Sequence, residues 1–333
     1  MTATRTDILA LGNAIVDVIA HADDDFLVAQ GVPKGAMQLI DEARAETLYR
    51  AMGPATIVSG GSAANTAVGV AKLGAGAAFI GKVRDDEVGR LFAHDLNAVG
   101  VGFDVPPAGD GPATARSFIL VTPDGERTMN TYLGAAQGLG PDDVDEEKVR
   151  AARIVYLEGY LWDPPAAKDA FRKAMDLAHA AGNAVALTLS DAFCVDRYRD
   201  EFLGLIRARD VDILFANIGE LRSLYQTADE GAALAALREE GITGVVTRSA
   251  EGSLVVTREE TLAVPAQPVG QVVDTTGAGD LFAAGFLTGL ARDLAPADCA
   301  RLGGLAAAEV IQHIGARPQA DLRALAGQAG LLA

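Results

Sequence analysis

Two adjoining stretches decide the fold of this chain: Asp274-Thr275-Thr276-Gly277-Ala278-Gly279-Asp280 and the apolar run Leu281-Phe282-Ala283-Ala284-Gly285-Phe286-Leu287 that follows it. The glycines allow the backbone to approach a ligand closely, and the apolar run predicts a buried helix whose first N–H groups have no partner within the helix. A helix start of this kind attracts phosphate groups. Asp280 lies within one turn of these amides. It can therefore accept the proton of an attacking hydroxyl while Gly277, Ala278 and Gly279 stabilise charge on a phosphoryl group.

A second glycine-rich stretch lies upstream and reads Gly60-Gly61-Ser62-Ala63-Ala64-Asn65; after a short apolar run comes Gly81-Lys82-Val83-Arg84-Asp85. Together the two regions resemble the N-terminal and C-terminal signatures of the ribokinase-like (PfkB-type) kinases, in the same order and roughly one domain length apart. The resemblance covers nearly the whole chain and is strongest to adenosine kinases. It implies a phosphotransferase that uses ATP and Mg²⁺, with Asp280 as the general base.

The hydrophobic pattern predicts strands that alternate with helices. Short β-rich runs cover residues 8–11, 56–58, 78–80, 154–157, 184–187, 213–215 and 244–247, and helical patterns cover 166–180, 197–208 and 231–239. The predicted fold class is therefore α/β: a doubly wound, mostly parallel sheet with helices on both faces. In such sheets ligands bind at the carboxyl ends of the strands.

Two segments interrupt this alternation. Residues 14–20 with 36–40, and residues 113–121 with 127–132, read as hairpin-like strands joined by turns that contain Gly35 or Pro123-Asp124-Gly125. The second connection is too short for a crossover helix, so its strands are expected to be antiparallel. We expect a small β-sheet lid made by about residues 14–40 and 113–133, on a single kinase unit of residues 1–333. Closure of a lid excludes water, which competes with the acceptor hydroxyl.

The acceptor side is predicted around Asp17. This carboxylate falls inside an apolar strand, where an ionised group needs a partner, and it can accept hydrogen bonds from vicinal hydroxyls. Gly60, Gly61 and Asn65 can complete a ring that binds a polyol. The resemblance likewise assigns the sugar hydroxyls to Asn13, Asp17, Gly61 and Asn65.

The resemblance also implies residues for Mg²⁺ and for the phosphates. Asn217 and Glu220 match the family's Asn-x-x-Glu motif, in which Glu220 holds the water shell of Mg²⁺, although the same spacing is typical of a helix cap. Arg127 stands where related kinases place a lid arginine that reaches the phosphates. Asp274 often joins a monovalent-cation site in this family, so activation by K⁺ stays open.

Further positions are implied for the nucleotide. Thr247 and Gly252 belong to a loop that resembles the family's Thr-x-Gly-x-x-Gly, in which Ser249 replaces the usual Gly. Thr276, in the first motif, is assigned to the same side. His313 and Gly315 lie in the helix and loop that border the adenine in the family.

Composition excludes other classes of function. The formal net charge is −17, whereas nucleic-acid and anionic-membrane surfaces need a basic stripe, so no partner of either kind is expected. The sequence holds two cysteines, too few for a disulfide framework. We saw no apolar run of about 20 residues and no signal peptide, which favours a cytoplasmic enzyme. The pattern leaves open whether it is a monomer or a homodimer.

The acceptor itself is the open question. The stretch Leu133 to Ala136 at the lid edge, with Leu133 and Ala135 as site residues, resembles adenosine kinases, and Tyr160 and Phe193 can pack against a purine. Glu158, by contrast, falls where ribokinases carry a glutamate near the sugar. We therefore predict phosphorylation of the 5′-hydroxyl of a ribonucleoside, most simply adenosine to AMP. A kinase for ribose, fructose or a keto-deoxy sugar acid is the alternative, and a nucleoside-binding regulator without catalysis is the alternative from another class.

Overall fold

The computed structural model describes residues 6–332. The strands in this range are β1 (Ile8–Leu11), β2 (Ile15–His21), β3 (Met37–Leu39), β4 (Ala55–Gly60), β5 (Ala77–Ile80), β6 (Val101–Gly102), β7 (Ala115–Val121), β8 (Arg127–Tyr132), β9 (Ile154–Glu158), β10 (Ala184–Thr188), β11 (Ile213–Asn217), β12 (Thr243–Thr247), β13 (Ser253–Val256) and β14 (Thr261–Val264). The helices are α1 (Asp24–Gln30), α2 (Glu42–Ala51), α3 (Ser62–Lys72), α4 (Glu87–Ala98), α5 (Glu146–Ala151), α6 (Pro165–Ala180), α7 (Ala192–Ala208), α8 (Ile218–Leu224), α9 (Glu230–Glu240), α10 (Ala278–Ala291), α11 (Pro296–Val310) and α12 (Leu322–Gln328).

The larger sheet has the strand order β14-β13-β12-β11-β10-β9-β1-β5-β6. The neighbouring strands from β12 across to β6 in this order all pair in parallel. At the other edge, β13 pairs antiparallel with β12, and β14 pairs antiparallel with β13. The central strands β1, β5 and β9 are buried along their whole length, because helices cover both faces of the sheet. The predicted α/β class with a mostly parallel sheet is thus confirmed.

The carboxyl ends of five neighbouring parallel strands lie along one edge of this sheet. β1 leads into Asn13, β9 ends at Glu158, β10 leads toward Phe193, β11 ends at Asn217 and β12 ends at Thr247. This edge therefore collects residues that are far apart in the sequence, as expected for a ligand site in a parallel sheet.

A second, five-stranded sheet has the order β3-β8-β7-β2-β4. Strands β7 and β8 pair antiparallel across the turn that contains Gly125, as predicted. One face of this sheet packs on α1 and α2 through a small core of Val18, Leu27, Leu48 and Phe118. We call this second sheet the lid sheet.

Two features of the lid sheet differ from the sequence predictions. Residues 56–58 were predicted in the large sheet, but they belong to β4, which pairs antiparallel with β2 in the lid sheet. Strands β2 and β3 do not form a hairpin, because α1 intervenes and β3 pairs with β8 at the sheet edge. The side chain of Asp23 caps α1 by accepting a hydrogen bond from the Phe26 amide, so the chain turns into a helix where a turn was expected.

Within residues 6–332, we find no helix that is both long enough and apolar enough to cross a lipid bilayer.

Candidate active site

The glycine-rich turn before α10 exposes the start of a buried helix. Gly277 has a φ of 79°, and a Cβ there would lie 2.7 Å from the Cβ of Ala316, so only glycine fits. Gly279 is exposed, and a Cβ added to it would meet no atom within 4 Å. The Ala278 amide donates to the carbonyl oxygen of Thr275 at 3.2 Å, but the space beside Gly279 is open and suits an anion. We call residues 274–279 the anion-binding turn, after the ligand that this helix start suits.

Asp280 is fixed by residues from the start of α3. The Ser62 hydroxyl donates to its Oδ1 at 2.6 Å, and the Asn65 amide nitrogen donates to its Oδ2 at 3.0 Å. Burial raises the pKa of Asp280, while these two hydrogen bonds and the charge of Arg317 oppose the shift. The carboxylate is thus held in one orientation at the helix start, where it can accept a proton.

Ser62 was not among the predicted site residues. It stood inside the second glycine-rich stretch, and its position at the first turn of α3 gave no sign that its hydroxyl would reach Asp280, 218 residues away in sequence. Asn65 was predicted in the site, and its Oδ1 is buried without a hydrogen-bond partner among the described residues. That oxygen is available to a ligand hydroxyl.

Asp17 lies on β2, directly against Gly60 of the neighbouring β4. A Cβ at Gly60 would collide with the carboxylate oxygens of Asp17, so glycine is needed for this approach. Burial raises the pKa of Asp17 to about 6, and the charges of Arg317 and Arg127 counteract the shift. The structure places the charge of Asp280 close enough to raise this pKa further, so the two carboxylates share one region.

Glu158 lies beneath the site and is 1% exposed. Its Oε1 accepts hydrogen bonds from the Nδ2 of Asn13 at 2.8 Å and from the Asn13 amide at 3.3 Å, and its Oε2 accepts one from the Ala63 amide at 2.8 Å. Burial raises its pKa to about 7. Glu158 therefore positions Asn13 and the start of α3, and it has little surface left for a sugar.

Gly61 completes this junction. Its φ is 91°, and a Cβ there would collide with the carbonyl oxygen of Asn13. The segment between β4 and α3 can therefore pass directly over the end of β1 only with glycine at this position.

Arg127 connects the lid sheet with the turn before α10. Its Nη1 donates to the Thr276 hydroxyl at 2.6 Å and lies 3.1 Å from Oδ2 of Asp274. Its Nη2 is buried and has no hydrogen-bond partner among the described residues. The guanidinium is thus held beside the anion-binding turn with one donor group unused.

Asp274 is buried and satisfied by several donors. Besides Arg127, it accepts hydrogen bonds from the Thr276 amide at 3.0 Å and from the Gly315 amide at 2.8 Å. A K⁺ ion at this carboxylate would compete with Arg127.

Asn217 and Glu220 form a reciprocal helix cap at the start of α8. The Asn217 amide donates to Glu220 Oε2 at 2.9 Å, and the Glu220 amide donates to Asn217 Oδ1 at 2.9 Å. Burial raises the pKa of Glu220 to about 7, and the charge of Asp191 adds to this shift. The reciprocal cap that the spacing also allowed is therefore present at the start of α8.

The loop after β12 keeps its shape despite the serine. Thr247 is the last residue of β12, Ser249 has a φ of 50°, and Gly252 has a φ of 88°. A Cβ at Gly252 would collide with the carbonyl oxygen of Val264. Ser249 therefore adopts a left-handed conformation, which glycine adopts more easily.

His313 packs against α11. Its Nε2 pairs with Oε1 of Glu309 at 3.1 Å, and the same oxygen accepts hydrogen bonds from the Gln319 and Ala320 amides. Next to it, Val273 and Ile314 are 42% and 47% exposed and flank Asp274 and Gly315. This apolar surface adjoins the anion-binding turn.

The predicted aromatic residues differ in their placement. Tyr160 is held by Ser190, whose Oγ accepts from the Tyr160 amide at 3.1 Å and whose carbonyl accepts from the Tyr160 hydroxyl at 3.2 Å. Phe193 is 63% exposed and lies under the guanidinium of Arg197. Leu133 is half-buried at the end of the lid sheet, and Ala135 is buried behind it.

Arg317 was missed by the sequence analysis. It donates to the carbonyl oxygens of Ser59 and Ala64, and its charge acts on both Asp17 and Asp280. Its position two residues after Gly315 was the one indication of its role in the sequence.

An open helix start, a carboxylate held beside it and a β-sheet lid define a phosphotransferase that acts on a hydroxyl group. Residues 37–322 match the model of the pfkB family carbohydrate kinases, and the chain belongs to that family.

Three known proteins illustrate the range of relatives. A probable sugar kinase protein from Rhizobium etli CFN 42 is 52% identical, with a TM-score of 0.94 over 99% of this chain and 100% of that one. An adenosine kinase from Sinorhizobium meliloti is 54% identical, with a TM-score of 0.92 over 98% of this chain and 99% of that one. An ATP-dependent ribose-1-phosphate kinase from Halopiger xanaduensis is 34% identical over 249 residues, which are 73% of this chain and 79% of that protein.

Proposed function

We propose that this protein is an ATP- and Mg²⁺-dependent kinase that phosphorylates the 5′-hydroxyl of a ribonucleoside, with adenosine as the acceptor and AMP as the product. The observation that carries the proposal is an exposed apolar edge, on β3, of the lid-sheet face that also carries Asp17. The similarity to the Sinorhizobium meliloti adenosine kinase supports it.

The strand register defines this surface. Paired residues share a face of the sheet, so Asp17, Ser117, Thr131 and Leu39 form one row. The adjacent row consists of Ile19, Ile119, Met129 and Met37.

This face of the lid sheet looks toward the turn before α10, because Arg127 lies on the same face and reaches Asp274. Met37 and Leu39 are 45% and 51% exposed at its edge. Ser117, Thr131 and Ile119 are buried on this face, so the partly exposed Asp17 is the group that suits ribose hydroxyls. A free sugar bound to Asp17 would leave the apolar edge of Met37 and Leu39 uncovered. A purine would bury them.

The chemical step depends on Asp280. With the acceptor hydroxyl between Asp280 and the anion-binding turn, Oδ1 or Oδ2 accepts its proton as the oxygen attacks the terminal phosphorus of ATP. The bond from that phosphorus to the bridging oxygen breaks, and ADP leaves. Ser62 and Asn65 keep the carboxylate aimed at that position. The amides of Gly277 and Gly279 and the unused Nη2 of Arg127 stabilise the charge on the phosphoryl oxygens. The Ala278 amide already donates to the carbonyl oxygen of Thr275 at 3.2 Å.

The residues present fit a Mg²⁺ ion on the nucleotide side. Glu220 is buried and the charge of Asp191 raises its pKa, so a cation bound nearby through water would stabilise the ionised form of Glu220. Mg²⁺ supplies charge neutralisation of the phosphates when bound. The exposed apolar surface of Val273 and Ile314 is available to the adenine of ATP.

A sugar or sugar-phosphate acceptor is the second candidate. It is favoured by the similarity to the ribose-1-phosphate kinase, and by the probable sugar kinase that aligns over nearly the whole chain. Glu158 gives this candidate little support, because its oxygens already accept hydrogen bonds from Asn13 and Ala63.

Acceptor-dependent ADP release with MgATP tests the proposal. The panel contains adenosine, inosine, guanosine, cytidine, ribose, ribose 1-phosphate, fructose and keto-deoxygluconate. Burial of about 100 Å² of purine at ~25 cal/mol/Å² contributes roughly 2–3 kcal/mol, so we expect kcat/KM for adenosine to exceed that for ribose by about 50- to 100-fold.

The variant Leu39→Ser separates the contribution of the purine to kcat/KM from a general loss of activity. It should lower kcat/KM for adenosine several-fold and leave the weak turnover of ribose unchanged, since only the purine covers that side chain. Equal or better turnover of a free sugar or sugar phosphate would refute adenosine as the acceptor.

A further inference from the structure

Arg317 lies where three parts of the site meet. Its Nε and Nη2 donate to the carbonyl oxygen of Ser59 at 3.1 and 2.9 Å, and its Nη1 donates to the carbonyl oxygen of Ala64 at 3.2 Å. Nη2 also lies 3.2 Å from the Ser59 hydroxyl. The guanidinium therefore fastens the end of lid strand β4 and the first turn of α3 to the segment after α11.

The same segment contacts the anion-binding turn. Ala316, the residue before Arg317, packs so closely on Gly277 that a Cβ there would lie 2.7 Å away. A displacement of Arg317 would therefore move residues on both the acceptor side and the nucleotide side of the site.

The hydrogen-bond partners of Arg317 are neutral, although a half-buried cation is costly without a countercharge. The carboxylates that face it come from three elements: Asp17 on β2, Asp280 on α10 and Asp95 on α4. Burial lowers the pKa of Arg317 to about 10, and these three charges oppose the shift. Arg127 acts on Asp17 from the lid sheet, and Glu158 lies beneath Asp280.

We infer that Arg317 is a positioning residue that joins the lid sheet to the catalytic helix and supplies the positive charge shared by Asp17 and Asp280. The inference rests on the proposed function, because it assigns those carboxylates to acceptor binding and proton transfer. A positive charge at this place keeps both groups ionised at neutral pH.

The test compares Arg317→Gln, Arg317→Met and Arg317→Lys with the wild type. The control is Arg258→Gln, which removes an exposed arginine in the turn between β13 and β14, at the opposite edge of the large sheet. Replacing a buried cation with an apolar side chain is often tolerated, so Arg317→Met carries the test if Arg317→Gln does not fold.

The first measurement is the pH profile of kcat/KM with the best acceptor of the panel. We expect the acid limb of the Gln and Met variants to move up by about one pH unit. kcat/KM near pH 6 should therefore fall roughly tenfold further than near pH 9, where only the lost hydrogen bonds to Ser59 and Ala64 lower it. Arg317→Lys keeps the charge, so its acid limb should stay in place. A loss of activity by the same factor at every pH, or a moved limb in the Lys variant, would overturn the inference.

The second measurement needs no acceptor and separates this inference from the proposed function. The melting temperature of Arg317→Gln or Arg317→Met should fall further below that of the wild type as pH rises from about 5 to 8, because Asp17 and Asp280 ionise without their countercharge. A constant difference across this range would overturn the role of Arg317 even if no member of the panel were phosphorylated. Absence of turnover with every acceptor would instead count against the proposed function alone.

Discussion

Glu158→Gln should make the stability of the protein less sensitive to pH. Burial raises the pKa of this carboxyl from 4.5 to about 7, so the folded protein keeps its proton at pH values where the unfolded chain has lost it. Below about pH 4.5 both states are protonated and the shift has no effect. As pH rises from there to about 7, the folded state loses stability relative to the unfolded state, and above 7 the loss is complete.

The size of the effect follows from the two pKa values. One pKa unit corresponds to about 1.4 kcal/mol, so the free energy of unfolding of the wild type should fall by roughly 2–3 kcal/mol between about pH 5 and about pH 8 because of Glu158 alone. Asp17 and Glu220 have raised pKa values as well and shift stability in the same direction. They remain in the variant, so the difference between the two proteins isolates Glu158.

Urea unfolding followed by Trp162 fluorescence is a suitable assay, since this is the single tryptophan of the sequence and it is fully buried. The free energy of unfolding of the Gln variant is lower by an amount that does not depend on pH, because its amide nitrogen cannot accept the hydrogen bond from Ala63. Against that constant, its stability relative to the wild type should rise by roughly 2–3 kcal/mol over the same pH range. Glu259→Gln, on the exposed turn before β14, should run parallel to the wild type. A difference between Glu158→Gln and the wild type that is the same at pH 5 and pH 8 would refute the reasoning.

Two further changes test the chemistry and the acceptor side. Asp280→Asn should lower kcat by about 10²–10⁴-fold while nucleotide binding, measured by calorimetry, stays close to normal; wild-type turnover would remove Asp280 as the base. Gly60→Ala should push the Asp17 carboxylate aside and raise the acceptor KM at least tenfold, with little change in the KM for ATP. Gly204→Ala, at an exposed site in α7 with no atom near the added Cβ, is the matched control, and a similar acceptor KM in both variants would argue against a role for Asp17.

The sequence predicted best where local pattern and burial coincide. Strand β1 matches its predicted bounds, because Ile8 to Leu11 is a continuous apolar run between polar or glycine residues. The turn at Gly277 and the helix after it were equally readable, since the glycine conformation and the apolar run are both local properties.

Pairing partners were harder to predict. Residues 56–58 form a strand as predicted, yet nothing in their composition shows that they pair with β2 in the lid sheet. Strands β13 and β14 were not predicted at all; they extend the large sheet at its edge. The choice of partner is made by long-range packing, which a single segment does not encode.

The polar contacts within the site show the same limit. The Asn217–Glu220 spacing was assigned to Mg²⁺, with a helix cap as the other reading; the cap is present, because both residues belong to one helix start. The contacts of Ser62 with Asp280 and of Arg317 with Ser59 join residues more than 200 positions apart. Only the folded arrangement brings such residues together.

These distant contacts have a consequence for the order in which the protein acquires activity. The acceptor side comes from the first part of the chain, whereas the base, the anion-binding turn and Arg317 come from its last part. Contacts between such distant segments close long loops, which lowers the entropy of the chain, so they form late in folding. A chain emerging from the ribosome can form the lid sheet and most of the large sheet, but it lacks Asp280, the base of the proposed reaction, until α10 has been synthesised and has docked on α3. Catalysis therefore reports that the whole chain has folded, and recovery of turnover during refolding should lag behind recovery of secondary structure.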